Sequence, residues 1–136
     1  MTEARNKYNA RKAFVNGIKF DSVLEAEVYL HLFAASKKLG FELTLQPEFE
    51  LIPAASPYPG RHLRAHTYTA DFKIAAEGLE PAIVIDVKGA STKKNRDFSI
   101  NEKLMWVMRG LCVTVIEDIR GAENLIEMLE GALCRY

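Results

Sequence analysis

The sequence predicts a single α/β domain in which a central mixed four-stranded sheet is flanked by helices, in the order helix, three strands, helix, strand, helix. Its 136 residues, 49% of them apolar, suit one domain with one substantial core. Apolar residues recur at helical spacing near the N-terminus and alternate with polar residues further on. We therefore expect a basic N-terminal tail at residues 1–12 and one folded domain at residues 13–136.

The first elements are expected to be a short hairpin and a capped helix. Two apolar triplets within residues 13–20 flank Asn16-Gly17, a pair typical of a two-residue hairpin turn. Ser22, with Glu25 three residues later, forms a capping-box pattern and marks the start of a helix over residues 23–39. The apolar stripe of this helix and its closing glycine are Leu24, Val28, Leu32, Ala35, Leu39 and Gly40.

The sheet strands follow. Residues 41–52 alternate between apolar and polar side chains and predict a strand bent at Pro47, whereas residues 53–64 are rich in Pro, Gly and Ser and predict a loop. Residues 82–88 carry apolar side chains on both faces, as in the middle of a covered sheet. The other expected elements are a strand at residues 66–74, a turn at Glu77-Gly78, a helix at 98–109, a strand at 111–116 and a helix at 122–133.

Charge and composition bound the setting. The formal net charge is zero, yet basic side chains gather in residues 1–20 and 88–109. A neutral chain can still present a basic face, although folding can equally mix charges that are segregated along the sequence. No apolar run suits a membrane span or a signal peptide, which predicts a cytoplasmic protein. Cys112 and Cys134 lack zinc-type spacing and are expected to be buried thiols, and Trp106 is expected in the core or a dimer contact.

An acid and a lysine stand two residues apart in the apolar strand at residues 82–88. Side chains alternate along a strand, so Asp86 and Lys88 emerge on one face. Burying either charge alone would be costly. The pair therefore marks either an ordinary ion pair at a solvated strand end or a reactive site.

A second acid lies in the preceding strand. The hairpin formed by the two strands can bring Asp71 beside Asp86, where two carboxylates repel unless a cation lies between them. Hard divalent ions such as Mg²⁺ prefer oxygen ligands of this kind. The alternative is that Asp71 points to solvent from a one-sided hairpin. The strand's apolar face is expected to consist of Tyr68, Ala70, Phe72 and Ile74.

Glu25 is a third candidate acid. It lies within the apolar stripe of the first helix, whereas Glu27 lies off that stripe and is expected to be solvated. A glutamate that faces the sheet from the first turn could complete a metal site. The capping box alone also explains a Glu three residues after Ser22, and both interpretations remain open.

The order of these motifs resembles that of the PD-(D/E)XK nuclease superfamily: Ser22-x-x-Glu25 on the first helix, Asp71 on the second sheet strand and Asp86-x-Lys88 on the third. The likeness extends from Lys7 to Val115, and Ala70 stands where the superfamily name expects proline. Four stretches also resemble a small phage-encoded family of nuclease-like proteins. They are residues 16–22, 45–51, 68–72 and 85–89.

The resemblance implies a restriction-endonuclease-like core and a divalent-metal-dependent DNA endonuclease, with branched or junction DNA among its candidate substrates. By this resemblance, Asp71 and Asp86 bind Mg²⁺ or Mn²⁺ together with the Val87 carbonyl, and Glu25 is a further ligand or holds a metal-bound water. Lys88 orients or deprotonates the attacking water, or neutralises charge on the scissile phosphate. A phage origin would place the protein in the cytoplasm of a bacterial host.

Candidate DNA-binding residues surround this site. The segment at residues 89–97 is polar and basic and suits phosphate contacts, unless it is an ordinary solvated charge run. Lys103, on the following helix, serves either phosphate binding or solubility. The full candidate set is Lys93, Lys94, Arg96, Lys103, Arg64 and His66, with Gln46 as an auxiliary residue near the metal.

Three functions remain in competition. The first is an endonuclease, and the second is a catalytically silent DNA-binding accessory of phage replication or recombination on the same fold. The third is an unrelated α/β scaffold whose acids occur by chance. The intact set of Asp71, Asp86 and Lys88 favours the enzyme. Paired cuts in two DNA strands would suit a homodimer.

Overall fold

The computed structural model describes residues 12–89 and 96–133, and in these residues three helices flank a mixed four-stranded sheet. The expected mixed α/β arrangement is confirmed at this level. The helices are α1 (Val23–Leu39), α2 (Arg96–Arg109) and α3 (Ile119–Leu133). The strands are β1 (Ala13–Val15), β2 (Ile18–Phe20), β3 (Glu42–Leu45), β4 (Glu48–Ile52), β5 (Ala55–Tyr58), β6 (Arg61–Leu63), β7 (His66–Thr69), β8 (Phe72–Ala76), β9 (Leu79–Val87) and β10 (Val113–Ile116).

The strand order in the four-stranded sheet is β10-β9-β8-β3. Strands β3, β8 and β9 are antiparallel neighbours, whereas β10 runs parallel to β9. A parallel neighbour requires a crossover connection, and the segment containing α2 supplies it. Within the described residues, no helix is long and apolar enough to cross a membrane.

Two hydrophobic cores lie on the two faces of this sheet. The first core joins the sheet to α1 and α3, and the second core joins it to α2. Ile85 belongs to the first core and its neighbour Val84 to the second, so β9 is apolar on both faces as its sequence predicted. Strand β9, which carries Asp86, is therefore held between the two cores and covered on both sides.

The expected first hairpin and the bounds of the first helix are confirmed, whereas residues 1–11 of the expected basic tail lie outside the described residues. Asn16 and Gly17 have φ angles of 52° and 77°, the left-handed values that a tight two-residue turn requires. Ser22 caps α1 by accepting a hydrogen bond from the Glu25 amide at 3.0 Å. Gly40 closes the helix in the left-handed conformation with a φ of 79°.

The two long strands expected before and after the loop are each broken. Residues 41–52 form β3 and β4, and residues 66–74 form β7 and most of β8. The breaks face each other: the Gln46 amide donates to the Asp71 carbonyl at 2.9 Å, and the Ala70 amide donates to the Pro47 carbonyl at 3.0 Å. Gln46 has a φ of 48°, which a regular strand does not allow.

The break overturns the expected single apolar face of the second strand. Tyr68 and Ala70 pack in the second core, under α2, whereas Phe72 and Ile74 pack in the first core, against α1. The chain changes sides of the sheet between Ala70 and Phe72. Asp71 lies at that change.

Two further expectations are wrong, and a third is wrong in part. The predicted loop at residues 53–64 contains the antiparallel strands β5 and β6, which are joined by a turn where Gly60 has a φ of 86°. Cys112 is exposed, since it precedes β10 outside either core. Trp106 is 63% exposed and is not a core residue, because the inner face of α2 is formed by Phe98 and Met105, whereas a dimer contact at Trp106 stays a prediction. Cys134 and residues 90–95, which include Lys93 and Lys94, lie outside the described residues.

Candidate functional site

Asp86 lies in a closed hydrogen-bonded arrangement near the end of β9. Its side chain is only 9% exposed. Tyr68 donates its hydroxyl to Asp86 Oδ2 at 2.6 Å, and the Lys88 ammonium lies 3.2 Å from Asp86 Oδ1. An exposed ion pair at a solvated strand end is excluded by this burial. Each oxygen of the carboxylate has a specific partner, so Asp86 has a fixed orientation.

Lys88 is held from two directions. Besides its ion pair with Asp86, its ammonium lies 4.7 Å from the ring centroid of Phe98, a cation–π geometry. The Lys88 side chain is 20% exposed, and its amide donates to the Ile116 carbonyl of β10. The ammonium is thus positioned at the end of β9, and the side chain that carries it is partly exposed.

Asp71 owes its position to the break between β7 and β8. Its amide donates to the Ile85 carbonyl at 3.0 Å, and its Oδ2 accepts from the Val87 amide at 2.6 Å. Irregularities of this kind re-aim a side chain that regular alternation would send elsewhere. Here the carboxyl group of Asp71 also bonds that of Glu25 and lies close enough to Asp86 for charge repulsion.

Glu25 takes part in both interactions that its sequence position allows. Its amide donates to Ser22 Oγ, and its Oε2 accepts from the Asp21 amide at 3.1 Å, so it supports the helix start. The same carboxyl group, 8% exposed, hydrogen-bonds Asp71 across the helix–sheet boundary. The helix-start interpretation of Glu25 is thus present in the structure, whereas its role in a metal site stays a prediction.

The neighbourhood of Asp71 opposes its ionisation. Burial raises its pKa most, and the hydrogen bond with Glu25 and the charges of Glu25 and Asp86 raise it further, while the Val87 amide partly offsets these effects. The resulting pKa of Asp71 is about 9, against an ordinary 3.8. The cluster therefore retains a proton at neutral pH unless a cation takes its place.

Tyr68 is a site residue that the sequence analysis assigned to packing alone. Burial, the hydrogen bond it donates to Asp86 and the charge of that carboxylate raise the pKa of Tyr68 well above its ordinary value, so it remains a neutral donor. The only sequence signal was a hydroxyl-bearing aromatic three residues before Asp71. In an unbroken strand, regular alternation would place the side chains of Tyr68 and Asp71 on opposite faces of the sheet, so no pattern in the sequence associated them.

Comparison with protein families gives one result. Residues 5–115 match the family described as "Protein of unknown function (DUF1064)". The chain belongs to this family. No curated protein and no solved structure matches it. The matched residues of this DUF1064 protein include all of the site residues described above.

The donor set of this DUF1064 protein fits a hard divalent cation in its chemistry. The carboxyl group of Asp71 lies near those of Glu25 and Asp86, and one ammonium group, that of Lys88, pairs with Asp86. If all were ionised, the cluster would carry two excess negative charges, which a divalent ion balances. Within residues 12–89 and 96–133, however, no three His, Cys, Asp or Glu side chains converge as a ready metal-binding group.

The acids do not converge as a metal-binding group because each carboxyl group is bonded to other partners. The carboxylate of Asp86 faces Tyr68 and Lys88, whereas that of Asp71 faces Glu25 and the Val87 amide. Joint binding of one ion by Asp71 and Asp86 stays a prediction, as does a ligand role for the Val87 carbonyl. Val87, the last residue of β9, contributes its amide to the interactions seen here.

The remaining candidate residues occupy the surface around α2 and its neighbours. Lys103 is exposed on α2, and Arg96 is the first residue of that helix. His66 Nε2 lies 2.6 Å from Asn101 Oδ1, which ties β7 to α2. Arg64 is exposed just beyond β6. Gln46 is exposed at the strand break, where its backbone amide donates to the Asp71 carbonyl.

Proposed function

We propose that this protein is a divalent-metal-dependent endonuclease that hydrolyses DNA phosphodiester bonds. One observation carries the proposal: the carboxyl group of half-buried Asp71 lies beside those of buried Glu25 and Asp86 at one end of the sheet, where one ammonium, that of Lys88, pairs with Asp86. Full ionisation of these acids would leave excess negative charge, which is costly in a purely structural cluster unless a cation balances it. The motif resemblance to PD-(D/E)XK nucleases supports the same assignment.

Asp71, Asp86 and Glu25 are the residues that would hold Mg²⁺ or Mn²⁺, with the Val87 carbonyl as a further oxygen donor. When bound, the ion polarises a phosphoryl oxygen and lowers the pKa of a coordinated water. Displacement of the proton held by Asp71 would accompany binding. Metal affinity should therefore rise with pH.

The protein's own groups supply orientation and charge. Tyr68 fixes one oxygen of Asp86 through a 2.6 Å hydrogen bond, and Lys88 faces the other oxygen. Because the side chain of Lys88 is partly exposed, its ammonium could meet a phosphate oxygen or donate a hydrogen bond to an incoming water. Phe98 restricts where that ammonium can lie.

Basic residues around the site are the proposed phosphate contacts. Arg96 and Lys103 lie on α2, whose residue Phe98 covers Lys88, so a backbone bound there lies near the acids. Lys93 and Lys94 precede that helix in sequence, and Arg64 and His66 flank the start of β7. A homodimer would place two such sites on two strands of one duplex.

One observation favours a second candidate, a catalytically silent DNA-binding accessory on the same fold. Among the described residues, the three acids divide into a Glu25–Asp71 pair and an Asp86–Lys88 pair without converging on one point. A protein that kept the fold but lost the chemistry would keep its basic surface and bind DNA without cutting it.

Incubation of the purified protein with labelled linear, flap and four-way-junction DNA separates the two candidates. Cleavage is expected with Mg²⁺ or Mn²⁺ and is expected to stop in EDTA, because the acids alone cannot activate water. Binding of these substrates without cleavage under any metal condition would support the silent accessory. If the protein neither binds nor cleaves any of these substrates, both candidate functions are contradicted.

A further inference from the structure

Strands β4 to β7 form a two-stranded ribbon whose outer half leaves the body of the protein. Its inner half pairs β4 with β7 and contributes Phe49, Leu51 and Tyr68 to the second core. Its outer half pairs β5 with β6. All four residues of β5 and all three residues of β6 are exposed. We call residues 53–65 the distal ribbon.

A two-stranded ribbon without core contacts is only marginally stable by itself, so packing does not explain the distal ribbon. Its exposed side chains are of two kinds. Tyr58, 62% exposed, and Leu63 are apolar, and Arg61, Arg64 and His62 are basic. This composition is typical of a surface that contacts a partner.

The charge of the segment has one sign. Residues 51–70 contain two arginines and two histidines but no Asp or Glu. The Arg61 guanidinium reaches only the carbonyl of His62, at 3.5 Å, and Arg64 has no ion-pair partner within the described parts of the chain. In a chain of zero net charge, this local excess of free cations suits a polyanion.

The inner half fixes the ribbon relative to the candidate active site. Tyr68, which holds Asp86, lies on β7, and the same strand is tied to α2 through His66 and Asn101. Arg61 precedes Tyr68 by seven residues along the ribbon. At about 3.3 Å per residue, Arg61 lies up to about 23 Å from Tyr68 along the ribbon. At about 3.4 Å per base pair, that distance corresponds to roughly seven base pairs.

We infer that the distal ribbon is a duplex-DNA-binding arm that enters a groove of the substrate beside the cleavage site. This inference rests on the proposed function for its substrate. The major groove of B-DNA accommodates a two-stranded β-ribbon. Arg61 and Arg64 contact phosphates at the groove walls, and Tyr58 lies at the tip, against sugars or base edges.

A second copy of the chain fits this surface less well. A two-fold interface brings the same patch onto itself, which would set Arg61 and Arg64 against their own equivalents. Like charges placed together in an interface are unfavourable. A nucleic-acid duplex instead supplies the opposite charge along both edges of the ribbon.

The test compares two variants that lose the same charge. One carries Arg61→Ala and Arg64→Ala in the distal ribbon. The control carries Lys37→Ala on α1 and Arg120→Ala on α3, both exposed residues of the helical layer on the opposite side of the sheet from α2. Affinity for a labelled 24-base-pair DNA duplex is measured by fluorescence anisotropy in EDTA at several salt concentrations, together with thermal unfolding.

The ribbon variant is expected to bind DNA about tenfold or more weakly, with a salt slope lower by about two, because each phosphate contact contributes about 0.9 to that slope. The control should retain most of its affinity. Arg61→Lys with Arg64→Lys should restore much of the binding. Hydroxyl-radical footprinting should show that the ribbon variant loses protection within roughly seven base pairs of the cleavage position.

Equal losses in the ribbon and control variants, or unchanged affinity in both, would overturn the inference. So would a loss confined to an RNA duplex of the same sequence, or a parent dimer that the ribbon substitutions convert into a monomer. The assay does not depend on cleavage. A parent protein that cuts DNA while the ribbon variant binds normally would refute the arm and leave the nuclease proposal intact.

Discussion

At the scale of single residues, Asp71 is unusual because its surroundings hold it in the protonated form. It is half-buried, and its carboxyl group lies beside two others, with only one backbone amide favouring its charged state. Such a position costs the folded protein stability whenever the group ionises. If these acids serve to bind a metal ion, the protein would be less stable whenever no metal is bound.

This cost predicts a pH dependence of stability. Because the folded-state pKa of Asp71, about 9, lies above its ordinary 3.8, the protonated group stabilises the fold fully at low pH, and this contribution is lost as pH rises between these values. Asp71→Asn cannot ionise. In EDTA, its free energy of unfolding should exceed that of the parent near pH 8, and the difference should shrink towards pH 5.

Urea unfolding of both proteins from pH 5 to pH 9 measures this difference. Glu77→Gln, in the exposed turn before β9, is the matched control and should follow the parent at every pH. Curves for Asp71→Asn and the parent that run parallel across this range would show that Asp71 ionises normally.

Tyr68 offers a second prediction at this scale. Tyr68→Phe removes the hydroxyl that Asp86 Oδ2 accepts at 2.6 Å and leaves a buried carboxylate oxygen without its donor. We expect a loss of about 1–3 kcal/mol in the free energy of unfolding. If Tyr68 is a positioning residue for Asp86, the Mg²⁺ concentration for half-maximal cleavage should also rise. Glu77→Gln, in the exposed turn before β9, should change neither quantity.

Lower stability with an unchanged Mg²⁺ requirement would make Tyr68 a structural residue only.

At the scale of elements, the first turn of α1 combines a helix cap with a site residue. Ser22→Ala removes the hydrogen bond to the Glu25 amide and should lower stability by about 1 kcal/mol without changing cleavage per folded molecule. Glu25→Gln keeps the size of the side chain but removes its charge, so cleavage itself should fall. Glu27→Gln, at an exposed position on the same helix, should behave as the parent.

Cleavage rates normalised to the folded fraction, which circular dichroism provides, distinguish these outcomes. If Glu25→Gln merely lowers the melting temperature, as Ser22→Ala should, then Glu25 serves the helix start alone.

Elements with local signals were predictable from the sequence. Ser22 and Gly40 bound α1 where expected, and Asn16-Gly17 forms the turn of the first hairpin. The pattern around Asp86 and Lys88 placed both on one face of a covered strand, and the ion pair between them is present. These features depend on residues close together in the sequence, so propensity and alternation suffice.

The bend at Pro47 was expected, but the break between β7 and β8 was not predictable in this way. Tyr68, Ala70, Phe72 and Ile74 keep perfect alternation, yet the chain changes sides of the sheet between Ala70 and Phe72. The cause is the facing break at Gln46, a partner distant in sequence. The distal ribbon was missed because its Pro and Gly residues are typical of loops, and its strands bury no apolar face that alternation could reveal.

At the scale of the whole molecule, the candidate site joins the two layers that flank the sheet. Glu25 comes from α1, whereas Tyr68, Asp86 and Lys88 lie on the side covered by α2, and Asp71 lies at the break between them. Any substrate at this end of the sheet would meet groups held by both cores. The distal ribbon and the basic residues of α2 would then flank that position.

The most direct test compares DNA cleavage by the parent protein and by Asp86→Asn in the presence of Mg²⁺, with DNA binding in EDTA as the control for folding. Asparagine keeps the size of Asp86 and can still accept from Tyr68, but it lacks the negative charge that the metal requires. We expect the parent to cleave DNA. We expect Asp86→Asn to bind DNA at least as tightly as the parent, but to cut it no faster than the parent does in EDTA. Cleavage by Asp86→Asn at the rate of the parent would contradict the assignment of this site.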